Sequence, residues 1–488
     1  GAHQLNLEDN VVVKPFEEIP KVKGLFPSLT SLIPFITGKY EQATLHRFFE
    51  DRRKEYGFVY REHFGMNGDM VFTSNPYDWE VILRSLGAED DLERPIWALK
   101  AYSKLRNRSL LYIDVVGEEF FERRELMGKM MLRPQKIAKF VPQYSQITDD
   151  LLDFIQRKLD KSSDNTIEDF MEDVDRWQFE CAGILTLNQR FGFLEDDIQT
   201  ANPAAYKAYT GAKEFFKTWL DIEIQPQHRT QHTMKWHQFV AASDLIYEGC
   251  EELLSQYKLA LIEGVEDQVS DAVKLAMIVD TLRASTDTVP TVIFWLMIEL
   301  ANNPDVQEKI YQESKEVLSK DKPLSYKEVN QQHYLKASLK EIHRMRPLVA
   351  LSMRKLRQDV ILPSGFEVPS GTTIGLLTNP YDQSQFFEDS HKMKPERWLR
   401  NRETKTEGGC PFGTKDSTEE VIPKFAVLPF GHGPRSCVGR RIAENSILVY
   451  TMKLVNKYFI HPVGEFDSYF NLFVKPKGKL NVRLEKRI

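Results

Sequence analysis

The stretch "DAVKLAMIVDTLRASTDTVPTVIFWLMIELANNP" constrains this chain more than any other. Ser270 precedes it as a helix cap, and the pattern stays helical from Asp271 to Asn303. Those 33 residues would span about 50 Å. Few globular helices are so long, and this one is largely apolar, so it should run through the middle of the protein. It does not read as a membrane span. Its longest apolar run, Val289–Leu300, is interrupted by Glu299 and is too short to cross a bilayer.

The remaining pattern is mainly helical with small sheets. "GFVYREHF" and "MVFTSN" read as a hairpin. From about Glu118 to Lys320 the chain is mostly helical. A second helix, "YLKASLKEIHRMRP", stops at Pro347. "DVILPSGFEVPSGTTIGLL" alternates like a small antiparallel sheet, and residues 379–423 are irregular. The helix "GRRIAENSILVYTMKLVNKYF" follows, with Ile447, Leu448, Thr451, Leu454, Val455 and Tyr458 as its apolar face. The tail "FNLFVKPKGKLNVRLEKRI" reads as a closing hairpin. No linker divides the 488 residues, so the expectation is one domain over 1–488 with a short flexible start of about 14 residues. A net charge of −6 argues against a nucleic-acid binder. Cys181, Cys250, Cys410 and Cys437 are far apart in sequence, which argues against a disulfide scaffold and favours a reducing compartment.

One of these cysteines has unusual company: "LPFGHGPRSCVG", Leu428 to Gly439. Cys437 stands just before a helix, where amide groups and the helix dipole favour a thiolate. The glycines permit left-handed turns and close approach of a flat group. Arg435 offers a fork for a carboxylate. A haem would use all three features: iron on sulfur, macrocycle on the loop, propionate on arginine. Three other readings stand beside it. A lone cysteine is often a small buried hydrophobe. A zinc site needs about four ligands, and only His432 is near. A redox thiol would be more exposed and would lack the glycine frame.

The full pattern F-G-x-G-x-R-x-C-x-G runs from Phe430 through Gly431, Gly433, Arg435 and Cys437 to Gly439. It resembles the haem-binding signature of the cytochrome P-450 family. That resemblance implies haem b on the Cys437 thiolate, held between the cysteine loop and the long central helix. Three further stretches agree. Glu341 and Arg344 in "KEIHR", with Arg397 in "KPERW", match the family's structural triad. "ASTDTV" matches the oxygen-site motif at Ala284, Asp287 and Thr288, with Ser285 for the usual glycine and Val289 for the last hydroxyl residue. By resemblance the helix opens there, helped by Pro290; Thr288 bonds oxygen or water and Asp287 relays protons. A bland alternative is that these hydroxyls and the carboxylate only bond back to helix carbonyls. In "GEEFFERRELMGKMMLRP" the family has W-x-x-x-R; here Arg124 keeps the propionate charge, while Phe120 cannot donate and is assigned to packing. Arg354 in "LSMRKL" is another propionate candidate.

The resemblance is closest to the mitochondrial branch, through "LKASLKEIHRMRP" and "CVGRRIAE". It implies an acidic [2Fe–2S] ferredoxin docking on Lys336, Lys340, Arg440 and Arg441. It also implies O₂ as co-substrate and an apolar substrate facing Ala284, Val349, Ala350, Leu472 and Phe473. The expected function is hydroxylation of a steroid-like or foreign compound. The rivals are a haem-thiolate isomerase or dehydratase needing no external electrons, and a non-catalytic haem sensor. The expected location is the matrix side of the inner mitochondrial membrane; an endoplasmic-reticulum enzyme without its anchor fits the sequence as well. The start "GAHQLNLEDNVVV" is not a signal peptide. Phe215, Phe216, Trp219 and Leu220 form an aromatic stripe that either meets a membrane or packs in the core.

Overall fold

A computed structural model describes residues 12–22, 27–63, 68–85, 96–111, 115, 117–195, 197–320, 322–378, 383–399 and 422–487. Cys410 and part of the irregular 379–423 stretch lie outside them. The early helices are α1 (Pro27–Ile36), α2 (Leu45–Tyr56), α3 (Pro76–Ser85) and α4 (Ala98–Arg106). The helical body follows: α5 (Gly117–Met131), α6 (Pro134–Ile137), α7 (Val141–Leu159), α8 (Phe170–Leu187), α9 (Ile198–Ala201), α10 (Pro203–Ile224), α11 (Met234–Gln256) and α12 (Asp271–Asn302). After it come α13 (Pro304–Leu318), α14 (Tyr326–Asn330), α15 (His333–Met345) and α16 (Arg440–Lys457).

The helix starts are written locally. The Ser270 side chain accepts from the Val273 amide at the head of α12. Asn202 accepts from Ala205 before α10, and Thr233 from Trp236 before α11. Ser325 and Glu328 close a capping box on α14. The expected long helix is present over 32 residues and continues through Pro290. It packs against α8, α10, α11, α13, α15 and α16, so its centre is the centre of the fold. Helices α10 and α11 approach at backbone distance. A Cβ on Gly211 would lie 2.8 Å from the Ala242 carbonyl, and one on Gly249 would lie 2.5 Å from that of Ala204. Only glycine fits at these two crossings.

The first hairpin forms as expected, β1 (Val59–His63) against β2 (Asp69–Thr73). Two later expectations are corrected. In 359–377, β5 (Val360–Leu362) pairs with β6 (Phe366–Val368), but β7 (Thr373–Leu377) leaves them. It runs parallel to β2 and antiparallel to β4 (Leu351–Lys355), making a four-stranded sheet in the order β1-β2-β7-β4. Alternation marks a strand but not its partner, and burying Ile374 and Leu376 in the sheet's own core decides the pairing. Likewise the tail is not one hairpin. β9 (Ser468–Phe470) pairs with β10 (Val474–Pro476), while β11 (Val482–Lys486) joins β3 (Thr166–Ile167) and β8 (Tyr458–Ile460). Helix α16 buries Ile447, Leu448, Thr451, Leu454 and Val455 of its expected face and also Val449, Tyr450 and Met452, because it is packed on several sides; Tyr458, expected on that face, is buried in β8 instead.

Candidate functional site

The cysteine loop is built by three backbone hydrogen bonds. Gly431 N–H donates to Leu428 (3.2 Å), Ser436 N–H to Gly433 (3.0 Å) and Cys437 N–H to Phe430 (2.8 Å). Gly431 and Gly433 take φ of +68° and +77°, values that other residues rarely adopt. The chain then enters α16 through Gly439 at its N-cap. Cys181 and Cys250 are buried, and burial pushes their thiols up; Cys437 is exposed. The buried-hydrophobe reading of Cys437 therefore fails. Among the described residues no three His, Cys, Asp or Glu side chains gather into a metal site. His432 instead packs edge-on against Phe425.

Two guanidiniums flank the loop. Arg124 on α5 donates to the Ser436 carbonyl (2.6 Å) and hydroxyl (3.1 Å). Arg435 is buried, donates to the Val115 carbonyl (2.7 Å), and lies 3.9 Å from the centre of the Phe120 ring. Phe120 is thus packing, as expected, and specifically the surface on which Arg435 stacks. Arg354 on β4 is buried and donates to Ser352 Oγ and the Met353 carbonyl.

In the middle of α12, Ala284, Ser285 and Thr288 are accessible while Leu282, Arg283, Thr286, Asp287 and Val289 are buried. The accessible positions fall at i, i+1 and i+4, one face of the helix. One accessible face therefore interrupts the otherwise buried middle of the long helix. The hydroxyls bond back to carbonyls: Ser285 and Thr286 to Leu282, Thr288 to Ala284 (2.8 Å), Thr291 to Asp287. Asp287 does not; its Oδ1 accepts from the Lys475 ammonium. Lys475 went unnoticed in the sequence, one of three lysines in "VKPKGK" with nothing to distinguish it.

The triad residues meet. Glu341 is fully buried, and its carboxylate accepts from Arg344 Nε (2.9 Å) and Nη2 (2.7 Å), Arg397 Nε (2.9 Å), Trp398 Nε1 (2.8 Å) and the Lys394 amide (3.1 Å). Arg344 also donates to the carbonyls of Ser390 and Lys392. Trp398 stands in "KPERW" beside the expected Arg397, and its role was legible only as the neighbour of a motif.

A family model for cytochrome P450 matches residues 26–483. The chain belongs to the cytochrome P450 family. Similar proteins include a probable cytochrome P450 12a5, mitochondrial, of Drosophila melanogaster, 28% identical over 91% of this chain and 86% of its own. The mitochondrial 1,25-dihydroxyvitamin D(3) 24-hydroxylase of Rattus norvegicus is 27% identical over 85% of this chain and 78% of its own. Cytochrome P450 10 of Lymnaea stagnalis is 26% identical over 97% and 86%. This P450 is therefore a haem-thiolate monooxygenase with haem b and an axial cysteine. The residues present fit that group: an accessible thiol, two arginines beside it, and glycines at left-handed backbone positions where a side chain would be strained.

The substrate candidates of this P450 divide. The β9–β10 turn is drawn inward, with Trp295 Nε1 on the Val474 carbonyl (2.9 Å) and the Val474 amide on the Leu348 carbonyl (2.9 Å). Phe473 meets Phe216 of α10 at 5.7 Å between ring centres, and Leu472 is held at φ +89°. Leu472, Phe473 and Val349 keep partial exposure, as Ala284 keeps more. Ala350 is buried beside Leu220, Phe470 and Val474. The aromatic stripe is also settled as core. Phe215, Phe216, Trp219 and Leu220 are all buried, because α10 turns that face onto α11, α12 and the β9–β10 turn.

The four basic candidates are exposed on α15 and α16. Lys340 Nζ lies 3.9 Å from the centre of the Trp398 ring; desolvation there, then the nearby Arg440 charge, pushes its pKa down. No described helix is long and apolar enough to cross a membrane.

Proposed function

We propose that this P450 hydroxylates an apolar, steroid-like or foreign compound, with electrons delivered singly by an acidic [2Fe–2S] ferredoxin. In this reading Cys437 would ligate the iron, Arg435, Arg124 and Arg354 would hold the propionates, and Phe430, Gly431, Gly433 and Gly439 would shape the loop against the macrocycle. Bound there, haem supplies reductive activation of O₂, with the balance R–H + O₂ + two electrons + two protons giving R–OH + H₂O. The chain's own residues do the rest. Ala284, Val349, Leu472 and Phe473 orient the substrate and exclude water. Asp287 and Thr288 relay the two protons, which come from solvent: the hydroxyl lone pairs of Thr288 are open to a water while its own proton rests on the Ala284 carbonyl, and the carboxylate of Asp287 exchanges protons beside it. Glu341, Arg344 and Arg397 brace the loop's side of the core. Lys336, Lys340, Arg440 and Arg441 present positive charge to the ferredoxin. The matrix side of the inner mitochondrial membrane is the location we propose, in keeping with relatives named mitochondrial.

The observation that carries this reading is the exposed Cys437 sulfur in a loop closed by the Cys437 amide on the Phe430 carbonyl. Reduction under carbon monoxide tests it. The reduced complex should show the far-red Soret band of thiolate ligation, and Cys437→Ser should abolish the band. Ferredoxin and its reductase should support product formation from a compound that shifts the iron spin state. Turnover without reductant would replace this reading with the isomerase.

A further inference from the structure

Asp287 is held asymmetrically. Oδ1 accepts from Lys475, whereas Oδ2 is buried and has no hydrogen-bond partner among the described residues. A carboxylate kept only for structure fills both oxygens, as Glu341 does. The ammonium that holds Asp287 belongs to a larger cluster. Lys475 lies on β10 opposite Tyr469 of β9. Asp175 of α8 pairs with Lys213 of α10, and Tyr209 of α10 faces the same group. The two pairs sense each other. Asp175 is pushed up by burial and opposed by Lys213, with Asp287 and Lys475 acting on it as well. Lys213 resists its own burial and is pushed up by Asp175, with Tyr209 and Asp287 adding to that. Side-chain exposure falls from 32% at Lys213, through 14% at both Asp175 and Lys475, to 9% at Asp287. The four charges therefore form a graded series from the surface to the centre of α12.

We propose that Lys475 is a positioning residue for the proton step: it grips Asp287 through Oδ1 and leaves Oδ2 as the proton-exchanging atom. This rests on the proposed role of Asp287. An ammonium left unpaired at that depth would be costly, so the ion pair fixes the orientation of the carboxylate. No electron transfer or new bond is involved; a single proton moves between Asp287 and its neighbours.

The test uses the haem-loaded enzyme with ferredoxin, reductase and a spin-shifting substrate, and compares Lys475→Met, Lys475→Arg, Asp287→Asn and the Met/Asn double variant. Product formed per electron pair, the solvent isotope effect and the pH profile of turnover are the readouts. Lys475→Met should lower product per electron pair by about tenfold and raise the isotope effect, with the substrate spin-state titration unchanged. Lys475→Arg should restore most of the yield, and the double variant should be no worse than Asp287→Asn. Melting temperatures of the four-protein cycle give a readout without turnover: the double variant should shift no further than the larger single one. Should Lys475→Met not take up haem, Lys475→Gln replaces it, since its amide keeps a donor. Parent-like yield and isotope effect in the Lys475 variants, with Asp287→Asn impaired, would overturn the proposal alone. Additive melting shifts would do the same. A parent-like Asp287→Asn would instead remove the reading on which it rests.

Discussion

Two buried carboxylates, Glu341 on α15 and Asp287 on α12, are solvated by the protein in opposite ways. Glu341 accepts five hydrogen bonds, two guanidiniums among the donors. Asp287 accepts one, from the Lys475 ammonium, and among the described residues its Oδ2 has no hydrogen-bond partner. Saturation locks a charge to one geometry; partial saturation leaves it able to change partners or protonation. The difference separates a brace from a working group, and it is open to attack at several points.

Glu341→Gln should have the largest effect, because it leaves Arg344 and Arg397 buried beside a neutral amide. A loss of about 4 kcal/mol is expected in chemical unfolding, with loss of haem during purification. His343, one residue before Arg344, tests what an unsatisfied polar group costs on the brace side. It is buried, neither ring nitrogen has a hydrogen-bond partner among the described residues, and burial followed by the Arg440 charge lowers its pKa to about 4. The unfolded chain then takes up the proton first, so stability is complete above about pH 6.5 and falls as pH drops toward 4. Between pH 7 and pH 5 this group should account for about 2 kcal/mol of lost stability. His343→Leu should remove that part of the slope in urea unfolding at the two pH values. Trp398→Phe deletes one of the five donors and should cost about 2 kcal/mol, read as a shift in the unfolding midpoint. Asp287→Asn should be the mildest, about 1 kcal/mol below the parent, since it strips a single cation of its carboxylate, and Lys475 keeps 14% exposure whereas Arg344 keeps 1%. Its product yield per electron pair should nevertheless fall. A Glu341→Gln as mild as Asp287→Asn would erase the contrast.

What could be read in advance followed the reach of each signal. The long helix, its Ser270 cap and the end of α15 before Pro347 depend on neighbours within a few residues, and all appear. The cysteine loop was legible because its glycines, arginine and sulfur are contiguous. Glu341 and Arg344 are one turn apart, whereas Trp398 needed the chain to return 57 residues later. Lys475 was invisible: it meets Asp287 across 188 residues. The aromatic stripe on α10 had two readings because periodicity shows that a face is apolar without showing what covers it.

By itself the sequence determined the helices, the caps, the left-handed turns at Gly431 and Gly433, and the sulfur they present. Each of these follows from backbone dihedrals and side-chain spacing over short range. The tertiary structure alone decided that β7 leaves its apparent hairpin for β2, that Ala350 is covered, and that a lysine from β10 holds the carboxylate of α12. Those are choices among distant partners, made by which packing buries apolar surface while leaving the fewest charges unpaired.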